Sequence, residues 1–373
     1  MSSQPTDYLS AMKNMNENFQ SYMIMAFTLI ISIIFILYMI YLSKLNNREC
    51  NYMNNLYPSL DGNILAISNT NPDLSGNLYD YYIKTAYNAC SGGSYKNDFV
   101  NLCNLTAVLK QGVRCLDFEI YSIDNQPVVA TSTTDNYYVK ETFNSVSFAS
   151  VMDTIQNYAF SINTCPNPTD PLLIHLRINS NNQEMYSNLA SIFKSYDSLM
   201  LGPQYSFENS GENIGSVPLL TFQNKVILIV DKSNNSFLQN QDILEYINLT
   251  SNSVFMRGYD YYNIKNNQDT QELTEYNKRN MTIVFPDNGT NPSNPSGYLC
   301  RSYGCQMVAM RYQYVDNFLM ENALFFDTCN YAFCLKPDFL RYQPVTIETP
   351  TPQDPSYSYA TRNVTTDYYS FNF

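Results

Sequence analysis

The chain contains one histidine, His175, set in the apolar run LLIHL, so chemistry that passes a proton between two imidazoles is not open to it. A lone histidine in such a run reads as a packed or hydrogen-bonded strand residue. Asp117 and Glu119 stand two positions apart in GVRCLDFEIY, and with Asn88 they offer the oxygen types that hold a hard cation. The nine cysteines are an odd number, so at least one thiol is unpaired unless it bridges to another chain. Cys115 and Cys305 read as ordinary core residues. Cys300 and Cys305, or Cys329 and Cys334, are spaced for a metal or a short disulfide. With no flanking histidine and no paired C-x-x-C, a zinc site is not expected.

Eight short apolar runs could position these groups: Tyr82–Asn88, Arg114–Ile120, Pro127–Thr131, Leu172–Ile178, Lys225–Asp231, Thr282–Phe285, Cys305–Tyr312 and Ala332–Leu335. Helix-period segments lie between several of them, at Phe148–Phe160, Gln183–Tyr196 and Leu273–Met281. Strands alternating with helices predict a parallel α/β architecture, and eight strands close a (β/α)₈ barrel of the TIM type. The pattern leaves an open doubly wound sheet as the alternative, with Ser253–Tyr259 as a surplus strand.

From Tyr22 to Leu42 the chain runs 21 residues without a charge, enough to cross a hydrocarbon core as a helix. The run is longer than a signal peptide's apolar core and lacks a basic start and a small-residue cleavage site, which predicts a retained span. The expected layout is a polar segment over 1–20, a transmembrane helix over 21–43, a linker over 44–76, a barrel over 77–340 and an extended tail over 341–373. Lys44 and Arg48 follow the span and Lys13 precedes it, so the positive-inside rule does not fix an orientation. A net charge of −12 argues against a nucleic-acid partner. The Asn- and Tyr-rich, tryptophan-free composition is what AT-rich coding produces, and suggests a protist or a large DNA virus as source.

Several segments resemble the two conserved halves of the phosphoinositide-specific phospholipases C. YIKTAYNAC (82–90), GVRCLDFEIY (112–121), QPVVATS (126–132) and DPLLIHLRIN (170–179) follow the first half in order and spacing. EYNKRNMTIVFP (275–286), GCQMVAMRYQ (304–313) and FCLKP (333–337) follow the second. The resemblance implies a distorted (β/α)₈ barrel and a reaction using two histidines and a calcium ion held by an Asn and three carboxylates. In this sequence the family's histidines fall at Tyr87 and Thr131. Its metal ligands fall at Asn88, Asp117, Glu119 and Arg177. Its phosphate-binding lysines fall near Ile229 and Asp231, with Lys232 one residue away, its phosphate-gripping arginine at Ile283 and its inositol-stacking tyrosine at Phe285.

Losing two general acid–base groups should cost roughly 10⁴–10⁸-fold in rate if the steps are independent. The expectation is therefore a catalytically inactive barrel with a vestigial pocket at Asn88, Asp117, Glu119, Arg177, Ile283 and Phe285. Arg177 is expected to replace the metal by pairing with one or both carboxylates. No cofactor is expected; calcium at Asn88, Asp117 and Glu119 belongs to the alternative, a divergent phosphoric diester hydrolase acting on phosphatidylinositol lipids. The expected partners are the lipid membrane, through Tyr22–Leu42, and other membrane or virion proteins.

Overall fold

The computed structural model describes residues 6–134, 138–344, 348–354 and 357–372. It divides into a unit spanning Met1–Arg341 and a second spanning Tyr342–Phe373. The second contains a small antiparallel pair, Asn363–Thr365 with Ser370–Asn372.

In the first unit eight parallel strands surround a filled interior: β1 (Tyr81–Ala86), β2 (Cys115–Ile123), β3 (Leu172–Asn179), β4 (Val226–Asp231), β5 (Leu249–Ser251), β6 (Met256–Asp260), β7 (Met281–Phe285) and β8 (Met307–Met310). Their order is β5-β4-β3-β2-β1-β8-β7-β6. The remaining seam, between β5 and β6, has no strand ladder. Asn252, with φ of 56°, bridges it. Its Nδ2 donates to Asp231 Oδ1 at 2.7 Å and its Oδ1 accepts from the Gly258 amide at 3.1 Å. The fold is a nearly closed (β/α)₈ barrel.

The count of eight was right, but the membership differs. Pro127–Thr131 overlaps Gln126–Val129, which folds back antiparallel on β2 through Asp124 and Asn125, both with positive φ. Ala332–Leu335 contains a short strand, Phe333–Leu335, antiparallel to β1. The surplus run Ser253–Tyr259 holds a true barrel strand, β6. No sequence reading found β5, because three residues are too few to show a period.

Side chains alternate along each strand. On β3, Leu172, Ile174, Leu176 and Ile178 pack outward in the layer shared with the helices, while Leu173 joins the interior cluster with Cys115, Ile227, Ile229 and Ile283. The outer layer is closed by helices that include α2 (Leu102–Lys110), α3 (Phe148–Thr154) and α4 (Gln183–Ser195), and by the last turns of α1 (Thr6–Leu56).

The stretch 44–76, expected to be a linker, is packed structure. The membrane-candidate helix α1 continues without a break to Leu56, and Leu45, Glu49 and Met53 are buried at i, i+4, i+8 spacing. A glutamate in the middle of this buried face hid it from a hydropathy reading. Cys50 forms a disulfide with Cys103 on α2, and Asn101 donates to Asn46 at 2.8 Å. Beyond the helix, Ile64, Ile67 and Leu74 are buried. Of the two short cysteine pairs, Cys329–Cys334 is bonded, whereas Cys300 and Cys305 are free and buried, as is Cys115.

Candidate functional site

The interior of the barrel changes character from floor to mouth. The parallel register aligns Cys115 with Leu173, Asp117 with His175 and Glu119 with Arg177. The same register sets Leu173 beside Ile227 and His175 beside Ile229. The lowest layer is thus apolar, and the charged groups collect at the C-terminal ends of the strands, the end that carries chemistry in barrels of this type. Asn88 sits just past β1 with φ of 43°, a conformation asparagine tolerates better than most residues. This turn aims its amide back across the mouth.

Arg177 is the centre of the arrangement. Its Nε donates to Asp117 Oδ1 at 3.0 Å and its Nη2 to Asp117 Oδ2 at 2.8 Å, a bidentate pair. Its Nη1 lies 3.1 Å from Glu119 Oε1, and Nη2 also donates to Asn88 Oδ1 at 3.1 Å. The guanidinium stacks over the Tyr87 ring at 4.7 Å and the Phe285 ring at 5.5 Å. The other lone pairs are also engaged. Asp117 Oδ1 meets His175 Nδ1 at 2.8 Å, and Asp117 Oδ2 accepts from the Asn88 amide at 3.2 Å. Glu119 Oε1 accepts from Asn88 Nδ2 at 2.9 Å, and Oε2 from the Tyr121 hydroxyl at 2.8 Å and the Ser132 amide at 3.0 Å. His175 is fully buried, with Nε2 2.9 Å from Ser251 Oγ.

Burial alone would raise the Asp117 carboxyl, but the Arg177 guanidinium and the hydrogen bonds from His175 and Arg177 outweigh it and hold the group at about 2. Glu119 goes the other way: its burial prevails over Arg177, Asn88 and Tyr121, and its pKa is raised. The Tyr87 phenol is pushed well above its ordinary 10 by burial. It is no base at neutral pH.

Calcium takes six to eight oxygen ligands in an open shell. Here both carboxylates and the Asn88 amide oxygen already accept hydrogen bonds, and a guanidinium occupies the space between them. The residues present do not fit that ion. Among the described residues no cluster of three or more His, Cys, Asp or Glu side chains could hold a metal.

The structure brings Asn88, Asp117, Glu119, Arg177 and Phe285 together at the mouth. Ile283 is buried one layer lower, two residues before Phe285, and takes no part. Thr131 is buried and turned aside, its hydroxyl donating to the Tyr95 carbonyl at 3.0 Å. Ile229 belongs to the interior apolar cluster, and Lys232 pairs with Glu208 at 3.7 Å. Above Arg177 opens a cavity of about 300 Å³ whose lining includes Tyr87, Asn179, Asp231, Asn234, Tyr259 and Phe285. The partners that sequence reasoning missed are Tyr121, Ser132, Ser251 and Tyr95. Tyr121 carried a signal, since it follows Glu119 by two on one strand and so shares its face. Nothing local marked the other three.

An eight-stranded parallel barrel with its polar groups gathered at the C-terminal mouth is the architecture of a large class of barrel enzymes. Within that class the particular family is clear: residues 74–232 match the X domain and residues 229–339 the Y domain of phosphatidylinositol-specific phospholipase C. The chain belongs to the phosphatidylinositol-specific phospholipase C family. The solved structures of PLC21 from L. pealei and from S. officinalis each share 17% identity with it, with a TM-score of 0.57. Each match covers 72% of this chain and 38% of the other, so the chain spans well under half the length of those proteins. A calcium-dependent phosphoinositol-specific phospholipase C from a Pseudomonas species aligns at 12% identity, covering 65% of this chain and 92% of its own, with a TM-score of 0.43. No curated protein matches the sequence.

Proposed function

We propose that this chain is a catalytically inactive, membrane-anchored phospholipase C relative with a structural or interaction role in its membrane. The observation that carries the reading is Arg177, which saturates Asp117, Glu119 and Asn88 at the positions where the family's metal ligands fall. A single buried histidine and a tyrosine whose pKa is raised by burial leave no acid–base pair to replace the family's two. Among the described residues one helix is long and apolar enough to cross a membrane, and its Tyr22–Leu42 stretch serves as the anchor in this reading. The partners are the lipid bilayer and other proteins of the same membrane, a virion membrane being the case that the composition favours.

The test is hydrolysis of phosphatidylinositol and its bisphosphate by the full chain in mixed micelles, with calcium and with chelator, beside an active family member. Turnover no higher than that of an Asp117→Asn variant is the expected result. Calcium-dependent turnover abolished by Asp117→Asn would overturn the proposal and leave a phosphoric diester hydrolase with a non-histidine acid–base pair. In the inactive case, cross-linking in the native membrane identifies the partners.

A further inference from the structure

The nine cysteines divide by exposure. Cys50, Cys103 and Cys329 are half-buried and Cys334 is buried. These four are the bonded ones, with Cα atoms 5.7 Å apart in Cys50–Cys103 and 6.0 Å apart in Cys329–Cys334. The other five, Cys90, Cys115, Cys165, Cys300 and Cys305, are free and all buried. Every cysteine that solvent reaches is therefore bonded. Structural disulfides form and persist in oxidising compartments, whereas the reducing pools of the cytosol keep such thiols apart. Cys50 stands eight residues past Leu42 on the same unbroken helix, about 12 Å along its axis, so its bond lies on the barrel's side of the span. The charges flanking the span leave its orientation open, and the disulfides favour the non-cytosolic face for the barrel.

On that face an asparagine in Asn-X-Ser/Thr can accept a glycan, provided that it lies at the surface. Six such motifs occur past the span, at Asn104, Asn234, Asn248, Asn280, Asn288 and Asn363. The fold sorts them. Nδ2 of Asn104 donates to the Cys90 carbonyl and Nδ2 of Asn248 to the Tyr205 carbonyl, each at 3.0 Å, and both residues are buried. Nδ2 of Asn234 donates to the Ile178 and Ser180 carbonyls at 2.8 and 2.9 Å. Asn280 is half-buried, and the hydroxyl of its motif, on Thr282, is buried and donates to Asn277 Oδ1 at 2.6 Å. Asn288 and Asn363 are exposed. Asn288 lies in the connection after β7, where a Cβ on the next residue, Gly289, would meet nothing within 4 Å. Asn363 begins the antiparallel pair of the second unit, and its Oδ1 accepts from the Thr365 hydroxyl of its own motif at 2.8 Å.

We propose that the barrel stands on the non-cytosolic side of its membrane and carries N-linked glycans on Asn288 and Asn363. In the transfer the side-chain Nδ2 bonds to the anomeric carbon of an oligosaccharide carried on a lipid diphosphate, and one amide proton passes to solvent. The bond from that carbon to the diphosphate oxygen breaks, and the diphosphate leaves with the electron pair. Asn288 lines the cavity above Arg177, so its glycan stands at the rim of that cavity. The proposal rests on the membrane-anchored part of the proposed function and is independent of whether the barrel is catalytic.

The full chain is translated in the presence of endoplasmic-reticulum microsomes and extracted with alkaline carbonate. Its gel mobility is then read before and after N-glycosidase treatment. The expected result is a carbonate-resistant chain with a two-step mobility shift that the glycosidase removes. Asn288→Gln and Asn363→Gln each lose one step, and the double variant loses both. Thr290→Ala and Thr365→Ala, which keep the asparagines, behave in the same way. A carbonate-resistant chain with no shift would overturn the proposal alone and place the barrel on the cytosolic face. A shift that persists in the double variant, or that either single variant leaves untouched, would overturn the assignment of the acceptors. A chain released by carbonate would overturn the membrane span, and the proposal with it.

Discussion

Replacing Arg177 by glutamate tests whether a guanidinium does the work of a metal. In the wild-type chain one cation neutralises two carboxylates that are almost wholly buried, at 2.8 and 3.1 Å. Breaking a buried pair by removing one partner typically costs about 3–5 kcal/mol. A domain of this size shifts by about 2–4 °C per kcal/mol, so the Tm in chelator should fall by roughly 6–20 °C. The new carboxylate would stand with Asp117, Glu119 and the Asn88 amide, a donor set suited to calcium. A ligand at 100 times its Kd stabilises by about 2.7 kcal/mol, which returns roughly 5–11 °C. Calorimetry of the wild type and Arg177→Glu, each with calcium and with chelator, reads both effects. Arg177→Met separates them, because it removes the cation without adding a ligand and should lose the stability with little recovery in calcium. The reasoning is refuted by a wild-type chain that gains as much from calcium as Arg177→Glu, or by an Arg177→Met as stable as the wild type.

Three further perturbations follow from other buried groups. Burial and a hydrogen bond with Asp98 push Glu49 up to about 9, so the folded chain holds a proton that the unfolded chain releases near 4.5. Its contribution is whole below 4.5 and falls by up to about 1.4 kcal/mol per pH unit as pH rises toward 9; urea midpoints of Glu49→Gln should lack that slope. Burial pushes Lys336 down from 10.5 to about 7, which has the opposite sign: stability rises with pH between those values. Lys336→Met should remove the rise and stabilise the chain at pH 7, read by the same titration. The Cys50–Cys103 bond closes a separation of 53 residues, and the chain-entropy model assigns such a loop about 4 kcal/mol. Cys50→Ser with Cys103→Ser should lower the Tm accordingly, and a non-reducing gel should lose the corresponding mobility difference.

Much of the barrel was legible because buried parallel strands are apolar runs long enough to read. β1 to β4, β7 and β8 each fell within or across a predicted run, and the motifs around Asp117, Glu119 and Arg177 could be aligned by their spacing. What failed to show has one physical origin, dependence on partners distant in sequence. β5 is three residues long and exists because β4 offers it a ladder. The packed face of α1 contains a glutamate whose pKa is raised by its burial and by a hydrogen bond with Asp98, a neighbour distant in sequence. The Cys50–Cys103 bond could not be paired from spacing, since it requires α1 to lie along α2. Tyr95, Ser132 and Ser251 are bland as residues and reach the site through loops and strand ends whose paths the sequence does not reveal.

The charge balance at the mouth also explains why Asp117, Glu119 and Arg177 belong together. Two carboxylates buried in one barrel cannot stand without a cation, since unpaired buried charge costs several kcal/mol per ion. An arginine on the neighbouring strand supplies that cation permanently, and its planar fork reaches Asp117 and Glu119 together. Once the guanidinium occupies the space between them, an incoming metal finds every oxygen engaged, and a phosphate approaching the cavity meets an arginine whose charge is already balanced. With the polar network satisfied internally, Tyr87 and Phe285 can pack as a hydrophobic lid on the guanidinium. A buried histidine can likewise serve as a strut between Asp117 and Ser251. The mouth of the barrel is thereby stabilised by its own side chains, with Arg177 paired to Asp117 and Glu119.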